Sequence, residues 1–192
     1  MTTATLAWPV LRKARRVRGH LLALRNAQVG DSAFIHAQRV HPRNAAQLSA
    51  TSPRLADQVA WMQRYAEDPS QAYFVIERLD GRPLGTVRLY DAREDSFCWG
   101  SWILSEQAAP TAAMESALLV YRYALDTLGF EQSHFQVNRG NVNVQRFHEQ
   151  FFGAERTAED DSEIHYSASN GALRAALQRW RRFLPAGVQV EP

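Results

Sequence analysis

Residues 96–129, SFCWGSWILSEQAAPTAAMESALLVYRYALDTLG, carry the strongest structural signals in the chain. Aromatic and apolar side chains over residues 96–104 predict a β-strand. The next apolar residues recur every three or four positions, as on one face of a helix, and are Met114, Leu118, Tyr121, Leu125 and Leu128. Gly129 suits the end of this helix, which is predicted over residues 111–128. The stretch therefore predicts a strand that enters a long helix through a short loop of mostly small residues.

Strand and helix signals also lie on both sides of this stretch. Asp80 and Gly81 separate two runs that favour strands, which predicts an antiparallel hairpin ahead of residues 96–104. The other predicted strands cover residues 20–26, 73–79, 84–90, 133–138 and 163–169, and the other predicted helices cover residues 31–40, 52–68, 142–151 and 172–184. This order predicts an α/β protein of the α+β type, with a mixed, mostly antiparallel central sheet of about six to seven strands flanked by helices.

Length and composition indicate one compact domain. The 192 residues are 45% hydrophobic, which is enough for a single core, and the chain is too short for two ordinary domains. We expect the domain to cover residues 20–184, between a basic N-terminal tail at residues 1–19 and a C-terminal tail at residues 185–192. The closing helix is predicted to dock on the domain, and a homodimer contact is its functional alternative.

Charge and cysteine content exclude several classes of protein. Lys and Arg total 22 against 20 Asp and Glu, so a dedicated nucleic-acid binder is not indicated. Five cations between Arg12 and Arg18 predict a solvated tail, and phosphate contact with steep salt dependence is the alternative. The single cysteine, Cys98, fits a reducing compartment and predicts a cytoplasmic protein. No apolar run is long enough to predict a membrane span.

Several catalytic motifs are missing from the sequence. It contains no GxGxxG dinucleotide loop, no GxxxxGKS/T phosphate loop and no GxSxG nucleophile elbow. The six histidines show no metal-ligand spacing, so we expect no metal. Cys98 is predicted to be a core residue on the same face of its strand as Gly100 and Trp102. An anion site remains available, because the free amides at the start of a helix carry partial positive charge.

The loop at residues 107–112, QAAPTA, resembles the loop by which GCN5-related N-acetyltransferases (GNATs) bind the pyrophosphate of coenzyme A. The pattern in that family is Q/R-x-x-G-x-G/A. Gln107 and Ala112 fit it, while Pro110 stands at the first glycine and lacks an amide donor. The resemblance implies a GNAT-like fold, with acetyl-CoA or another short acyl-CoA as co-substrate. The cofactor-binding residues that it implies are Ile103, Leu104, Gln107, Ala108, Ala109, Thr111, Ala112, Ala113 and Asn141.

Residues 141–154, NVNVQRFHEQFFGA, resemble the Asn-led helix of the same family. His148 takes the position of the tyrosine general acid, which implies that an imidazolium there protonates the leaving thiolate. A packed histidine is the structural alternative. Glu106 is a candidate catalytic base because it lies near the end of a central strand, and a solvated carboxylate is its alternative. Asn141 would cap the helix, contact the cofactor, or do both in turn.

The resemblance also implies a small-molecule amine as acceptor. Within the family the chain looks most like enzymes that acylate amino sugars carried on nucleotides, by direct attack on the thioester in a ternary complex. Candidate substrate-binding residues are Asn44, Trp61, Trp99 and Trp102. The tryptophans would form an aromatic wall, or else belong to the core. The alternatives are an acetyltransferase for protein N-termini or lysines, and a binding module of the same fold without turnover.

Overall fold

The computed structural model describes residues 7–192, and in this part of the chain nine strands form one sheet. The strands are β1 (Arg16–Arg18), β2 (Leu22–Asn26), β3 (Ala72–Arg78), β4 (Pro83–Arg93), β5 (Ser96–Leu104), β6 (Gln132–Asn138), β7 (Glu155–Glu159), β8 (Glu163–Ala168) and β9 (Gln189–Glu191). Their order is β7-β8-β6-β5-β4-β3-β2-β1-β9, and among the described pairs only β5 and β6 are parallel. The predicted mixed, mostly antiparallel sheet is confirmed, with more strands than predicted.

The helices lie on both faces of this sheet. They are α1 (Ser32–Val40), α2 (Pro42–Ala45), α3 (Leu55–Glu67), α4 (Ala112–Arg122), α5 (Val142–Phe152) and α6 (Asn170–Arg179), and α4 continues as a π-helix over Tyr123–Leu128. Successive residues of β3, Phe74 and Val75, belong to two different cores, as expected of a strand covered on both faces. α1 and α3 enclose the smaller core, and α4 and α6 contribute to the larger one. Within residues 7–192, no helix combines the length and apolar character needed to cross a bilayer.

The segments predicted as tails join the sheet where the structure describes them. β1 pairs with β2, and β9 pairs with β1 at the edge of the sheet. Leu11, Ala14 and Val17 are buried in the main core, and burial of their apolar surface fixes a segment that its basic residues predicted to be solvated. Residues 1–6 of the predicted tail lie outside the described residues. The single domain therefore includes residues 7–19 and 185–192.

The basic cluster near the N-terminus is used inside the chain. Arg16 forms an ion pair with the buried carboxylate of Glu77 at 2.9 Å. Arg15 pairs with Glu191 of β9 at 2.7 Å. At least these two of the five cations form ion pairs with neighbouring strands. This argues against a free phosphate-binding arm.

The first predicted helix has its expected bounds, whereas the second starts later than predicted. Asp31 is the N-cap residue of α1, although its carboxylate accepts from the Arg25 guanidinium, at 2.8 and 3.0 Å, and not from an amide of the helix. Ser52 donates to Asp57 at 2.5 Å, and α3 begins only at Leu55. The segment between these two predicted helices contains the short helix α2.

Candidate functional site

A cavity of about 480 Å³ opens where β5 and β6 separate. The two strands pair only from Ser96 opposite Gln132 to Cys98 opposite His134. Beyond this point residues 99–104 of β5 and residues 135–138 of β6 line the two walls of the cavity. Because the backbone groups of the two strands no longer pair across the gap, a ligand can hydrogen bond to them instead. We call this space the inter-strand cavity.

A bulge at Ser101 shapes the β5 wall. Thr86 of β4 pairs with Ile103, whereas Arg88, two residues further along β4, pairs with Gly100, three residues back along β5. Ser101 has a positive φ of 47°. A bulge leaves its extra residue unpaired in the ladder, and the Ser101 carbonyl accepts a hydrogen bond from the Thr86 hydroxyl at 2.8 Å instead.

The bulge also places Trp102 on the face of Trp99. Their ring centroids are 5.4 Å apart, and Nε1 of Trp99 donates to the Tyr121 hydroxyl at 3.1 Å. The prediction that Trp102 shares the face of Cys98 and Gly100 is wrong, because one extra residue shifts the alternation of the strand. Cys98 is fully buried in the core, and burial raises the pKa of its thiol to about 11.

The start of α4 reaches the same cavity. Ala113, in the first turn of α4, lines it. Within the described residues, the backbone amides of Ala113 and Met114 make no hydrogen bond, as expected for the first turn of a helix. Free amides at the positive end of the helix dipole attract an anion. The inter-strand cavity therefore has an anion-attracting end.

The predicted cofactor residues divide into two groups. Those that line the inter-strand cavity are Ile103, Leu104, Ala113 and Asn141. Those that lie in the loop and helix start without lining it are Gln107, Ala108, Ala109, Thr111 and Ala112. The side-chain amide oxygen of Gln107 accepts a hydrogen bond from Arg82 at 2.5 Å, so it is already engaged by a residue that does not line the cavity. Asn141 accepts from the Val144 amide at 3.4 Å, so it caps α5 as well as lining the cavity.

His148 lies in the wall of this cavity and is neutral. Its side chain is 4% exposed, and its aromatic neighbours are Trp99, Trp102, Phe135 and Phe147. Nδ1 is buried and has no hydrogen-bond partner among the described residues. Burial lowers the pKa of the imidazole to about 3. The imidazolium predicted at this position does not fit these surroundings, because no carboxylate offsets the loss of water.

The neutral His148 makes the stability of the protein depend on pH. The pKa is about 3 in the folded chain and 6.5 for an unperturbed histidine, so between these values the unfolded chain binds a proton that the folded chain rejects. Stability therefore falls as the pH decreases through this window, by up to about 1.4 kcal/mol per pH unit. We expect His148→Phe to remove the share of His148 in this slope and to leave the share of carboxylates with lowered pKa, such as Asp68 and Asp126. The free energy of unfolding in denaturant across the window measures the change in slope.

The exposed His20 supplies the matched control for this measurement. His20→Gln removes a histidine from solvent and should keep the slope of the parent protein. Phenylalanine is larger than histidine and also changes the absolute stability, so the slope is the quantity to compare. An unchanged slope in His148→Phe would show that His148 is not the group responsible.

The carboxylate at the cavity differs from the predicted one. The Glu106 side chain is 79% exposed, pairs with Arg43 at 3.2 Å and does not line the cavity. Glu163 of β8 lines it, and the sequence analysis missed this residue. Antiparallel pairing places Glu163 opposite Asn138 of β6, a contact for which the sequence contains no local signal. Asn44, a predicted substrate-binding residue, also lines the cavity.

A second cavity, of about 330 Å³, adjoins the first at Ser101, which lines both. Because Arg39, Arg64 and Arg88 line it, we call it the arginine cavity. Trp61 lies here, whereas Trp99 and Trp102 line the inter-strand cavity. The predicted aromatic wall is therefore divided between two cavities.

The arginines of this second cavity were not among the predicted site residues. Arg88 interrupts the apolar run LGTVRLY at residues 84–90, and a charged residue inside a strand of buried type was a usable signal. Arg39 gave no such signal, because a basic residue near the end of a helix is common. It donates to the Ser101 hydroxyl at 3.1 Å and to the Thr51 hydroxyl at 2.9 Å, and so joins the loop after α2 to the bulge.

Comparisons with known proteins agree with this geometry. A family model described as an acetyltransferase (GNAT) domain matches residues 22–151. The structure of apo FdhC, a nucleotide-linked sugar GNAT, is 37% identical, with a TM-score of 0.77 over 88% of this chain and 98% of that chain. A GCN5-related N-acetyltransferase from Brucella melitensis is 16% identical, with a TM-score of 0.75 over 93% of this chain and 90% of that chain. A search of curated protein sequences found no match.

The chain belongs to the GNAT family of acetyltransferases. The more distant similarity to the Brucella protein is evidence for the fold alone. The predicted family and fold class are thus confirmed, and so is the resemblance to GNATs of nucleotide-linked sugars.

Proposed function

We propose that this protein is an acyl-CoA-dependent N-acyltransferase, which moves an acetyl or related short acyl group to a primary amine of a small molecule. One observation carries the proposal: a cavity between diverging parallel strands that ends at the free amides of α4. Backbone groups of β5 would bind the extended thioester arm, and the helix start would bind its pyrophosphate. Pro110 lies outside the cavity lining, so its missing amide removes no donor from the wall.

The chemistry requires direct attack of the amine on the thioester carbonyl. The bond between nitrogen and carbonyl carbon forms, the carbon–sulfur bond breaks, and coenzyme A leaves as a thiolate that takes up a proton. A backbone N–H of β5 at the Ser101 bulge would stabilise the oxyanion that develops on the carbonyl. His148 contributes an apolar wall and no acidic proton, so we assign protonation of the thiolate to solvent.

Glu163 replaces Glu106 as the candidate base. A protonated amine must lose a proton before it attacks, and Glu163 is the carboxylate that lines the inter-strand cavity in the described part of the chain. We expect Glu163→Gln to lower kcat/KM by about a hundredfold with little change in acyl-CoA affinity. Glu106→Gln is the matched control because its carboxylate does not line the cavity, and equal losses in both variants would remove Glu163 from this role.

The acceptor that we favour is an amino sugar carried on a nucleotide. This assignment is supported by the relative at 37% identity, which is described as a nucleotide-linked sugar GNAT. A protein N-terminus or lysine is the second candidate within the enzyme class. A protein acceptor requires an open groove. The space that adjoins the inter-strand cavity at Ser101 is instead a cavity of only about 330 Å³.

A thiol-release assay tests the proposal directly. The protein is mixed with acetyl-CoA and a panel of amines that includes nucleotide-linked amino sugars, and amine-dependent release of coenzyme A is expected. Calorimetry with acetyl-CoA alone separates the remaining alternative. Binding without turnover for any amine would indicate a non-catalytic module, and absence of binding would reject acyl-CoA as the co-substrate.

A further inference from the structure

The arginine cavity contains three cations that lack a carboxylate partner. Arg39, Arg64 and Arg88 line it, and none forms an ion pair in residues 7–192. Residues 1–6 contain no Asp or Glu. Arg39 donates only to oxygens of Ser49, Thr51 and Ser101. The positive charge of the cavity is therefore not neutralised by these residues.

The one carboxylate in the lining, Asp57, is already engaged. Its two oxygens accept hydrogen bonds from Arg54, at 2.9 and 3.0 Å, and one also accepts from the Ser52 hydroxyl. These contacts, the Ser52 bond first, hold the pKa of Asp57 below its usual value. Asp57 is thus paired with a fourth arginine outside the lining, and the three lining arginines keep their excess charge.

The guanidinium of Arg88 is partly buried, so water solvates its charge poorly. Its guanidinium lies 5.3 Å from the ring centroid of Trp61 and 4.7 Å from that of Tyr90. Nε donates to the Gln71 amide oxygen at 2.5 Å, and the Gln71 amide nitrogen donates in turn to Asp68, so this carboxylate reaches Arg88 only through Gln71. Burial lowers the pKa of Arg88; Tyr90, Tyr73 and Asp68 oppose this shift, and the positive charge of Arg39 adds to it. Arg39 and Arg88 line the same cavity, and an anion bound between two like charges would stabilise both.

We infer that the arginine cavity binds the phosphate groups of a phosphorylated acceptor, with Arg39, Arg64 and Arg88 as their ligands. Arginine forks match phosphate oxygens in pairs and are the usual choice for such groups. A diphosphate ester, with about two negative charges, matches the excess of cations better than one carboxylate does. The volume of about 330 Å³ is at the small end of the range for ligand sites, so a nucleoside attached to the phosphates would extend outside.

The position of the cavity links this anion site to the reaction. Ser101 lines both cavities, and its hydroxyl accepts a hydrogen bond from Arg39. Phosphates held by Arg39 would therefore anchor one end of the acceptor close to the bulge, while its amine reaches the thioester along β5. This inference rests on the proposed function for its role in acyl transfer, but the anion site itself can be tested without turnover.

Calorimetry with uridine diphosphate provides the test. The titration is done with coenzyme A at saturating concentration, so that the coenzyme's own diphosphate fills the inter-strand cavity. We expect uridine diphosphate to bind under these conditions and acetate to bind far more weakly. Loss of uridine diphosphate binding when coenzyme A is added would show that both occupy one site and would overturn the inference, as would equal affinities for acetate and uridine diphosphate.

Arg64→Ala should disturb the fold least, because the Arg64 side chain is exposed and makes no hydrogen bond among the described residues. We expect it to weaken uridine diphosphate binding by about tenfold, and Arg88→Lys, which keeps the charge but loses the fork, to weaken it as well. Arg78→Ala removes the same charge from an arginine paired with Asp80 outside the cavity and should leave the affinity unchanged. Equal losses of affinity in Arg64→Ala and Arg78→Ala would show that only the overall charge of the protein matters, and would overturn the inference.

The two proposals can fail separately. Coenzyme A binding without uridine diphosphate binding would reject the phosphate site and leave the acyltransferase assignment intact. Absence of coenzyme A binding would reject the proposed function, while uridine diphosphate alone would still test the arginine cavity. With an active acceptor, the Arg64→Ala variant should raise the KM for the acceptor and leave the KM for acyl-CoA unchanged.

Discussion

Gly85→Ala is expected to lower kcat/KM for acyl transfer by about a hundredfold, because a misplacement of roughly 1 Å at a reacting site has an effect of this size. A Cβ atom on Gly85 would lie 1.9 Å from the carbonyl oxygen of Ile103 and 3.0 Å from its carbonyl carbon. Backbone atoms cannot rotate away as a side chain can, so β5 must move. Ile103 is part of the cavity wall beside the Ser101 bulge, and any displacement of β5 therefore changes the groups that face the thioester.

Gly171→Ala is the control for this variant. Gly171 lies in the first turn of α6, and a Cβ there would meet nothing within 4 Å. Alanine in this helix should be neutral or stabilising by up to about 1 kcal/mol. Acyl-CoA affinity measured by calorimetry supplies a second measurement for Gly85→Ala, compared at a temperature where the variant is folded. Full affinity together with full turnover would show that β5 accommodates the methyl group, and the tight approach of the two strands would then have no functional importance.

Glu115→Ala is expected to reduce the free energy of unfolding by about 3 kcal/mol, since it leaves one buried and two partly buried amides without their acceptor. Oε1 of Glu115 accepts hydrogen bonds from the backbone amides of His20, Leu21 and Leu22, at 2.7, 2.7 and 3.0 Å. The side chain is only 1% exposed. It fastens the turn between β1 and β2 to the first turn of α4, where the helix dipole also favours a negative charge.

Two further variants separate the contributions at this position. Glu115→Gln keeps an oxygen acceptor and loses the charge, so we expect an intermediate loss of about 1–2 kcal/mol, because charge-assisted hydrogen bonds are roughly twice as strong as neutral ones. Glu131→Ala removes an exposed carboxylate and should change stability by no more than about 0.5 kcal/mol. Chemical denaturation measures all three, and a Glu115→Ala variant as stable as Glu131→Ala would contradict the interpretation.

Glu115 shows how much of a residue's role a sequence pattern can predict. An acidic residue in the first turn of a helix predicts a favourable interaction with the helix dipole, and the structure is consistent with that. The three amides that it binds come from residues more than ninety positions earlier in the chain. No local pattern reports such a contact, so the larger part of its expected effect on stability was invisible in the sequence.

His148 and Glu163 show the same limit at the candidate site. The motif in α5 correctly brought His148 to the cavity wall, because its position follows from helix spacing within one element. Its protonation state depends on aromatic rings from β5 and β6 as well as from α5, and burial among them excludes the charged form that the motif implied. Glu163 reaches the cavity through strand pairing between β6 and β8, so the candidate base changed from Glu106 to a residue on a different strand.

By itself the sequence determined the order of helices and strands, the mixed sheet and the family, because these depend on periodicity and on motifs within single elements. Only the tertiary structure decided the burial of the N-terminal segment, the bulge at Ser101, the neutral state of His148 and the meeting of three arginines in one cavity. Each of these features depends on distances between residues far apart in the chain, and on how much water their packing excludes. Such distances are set by the packing of the whole sheet against its helices, which no local stretch of sequence encodes.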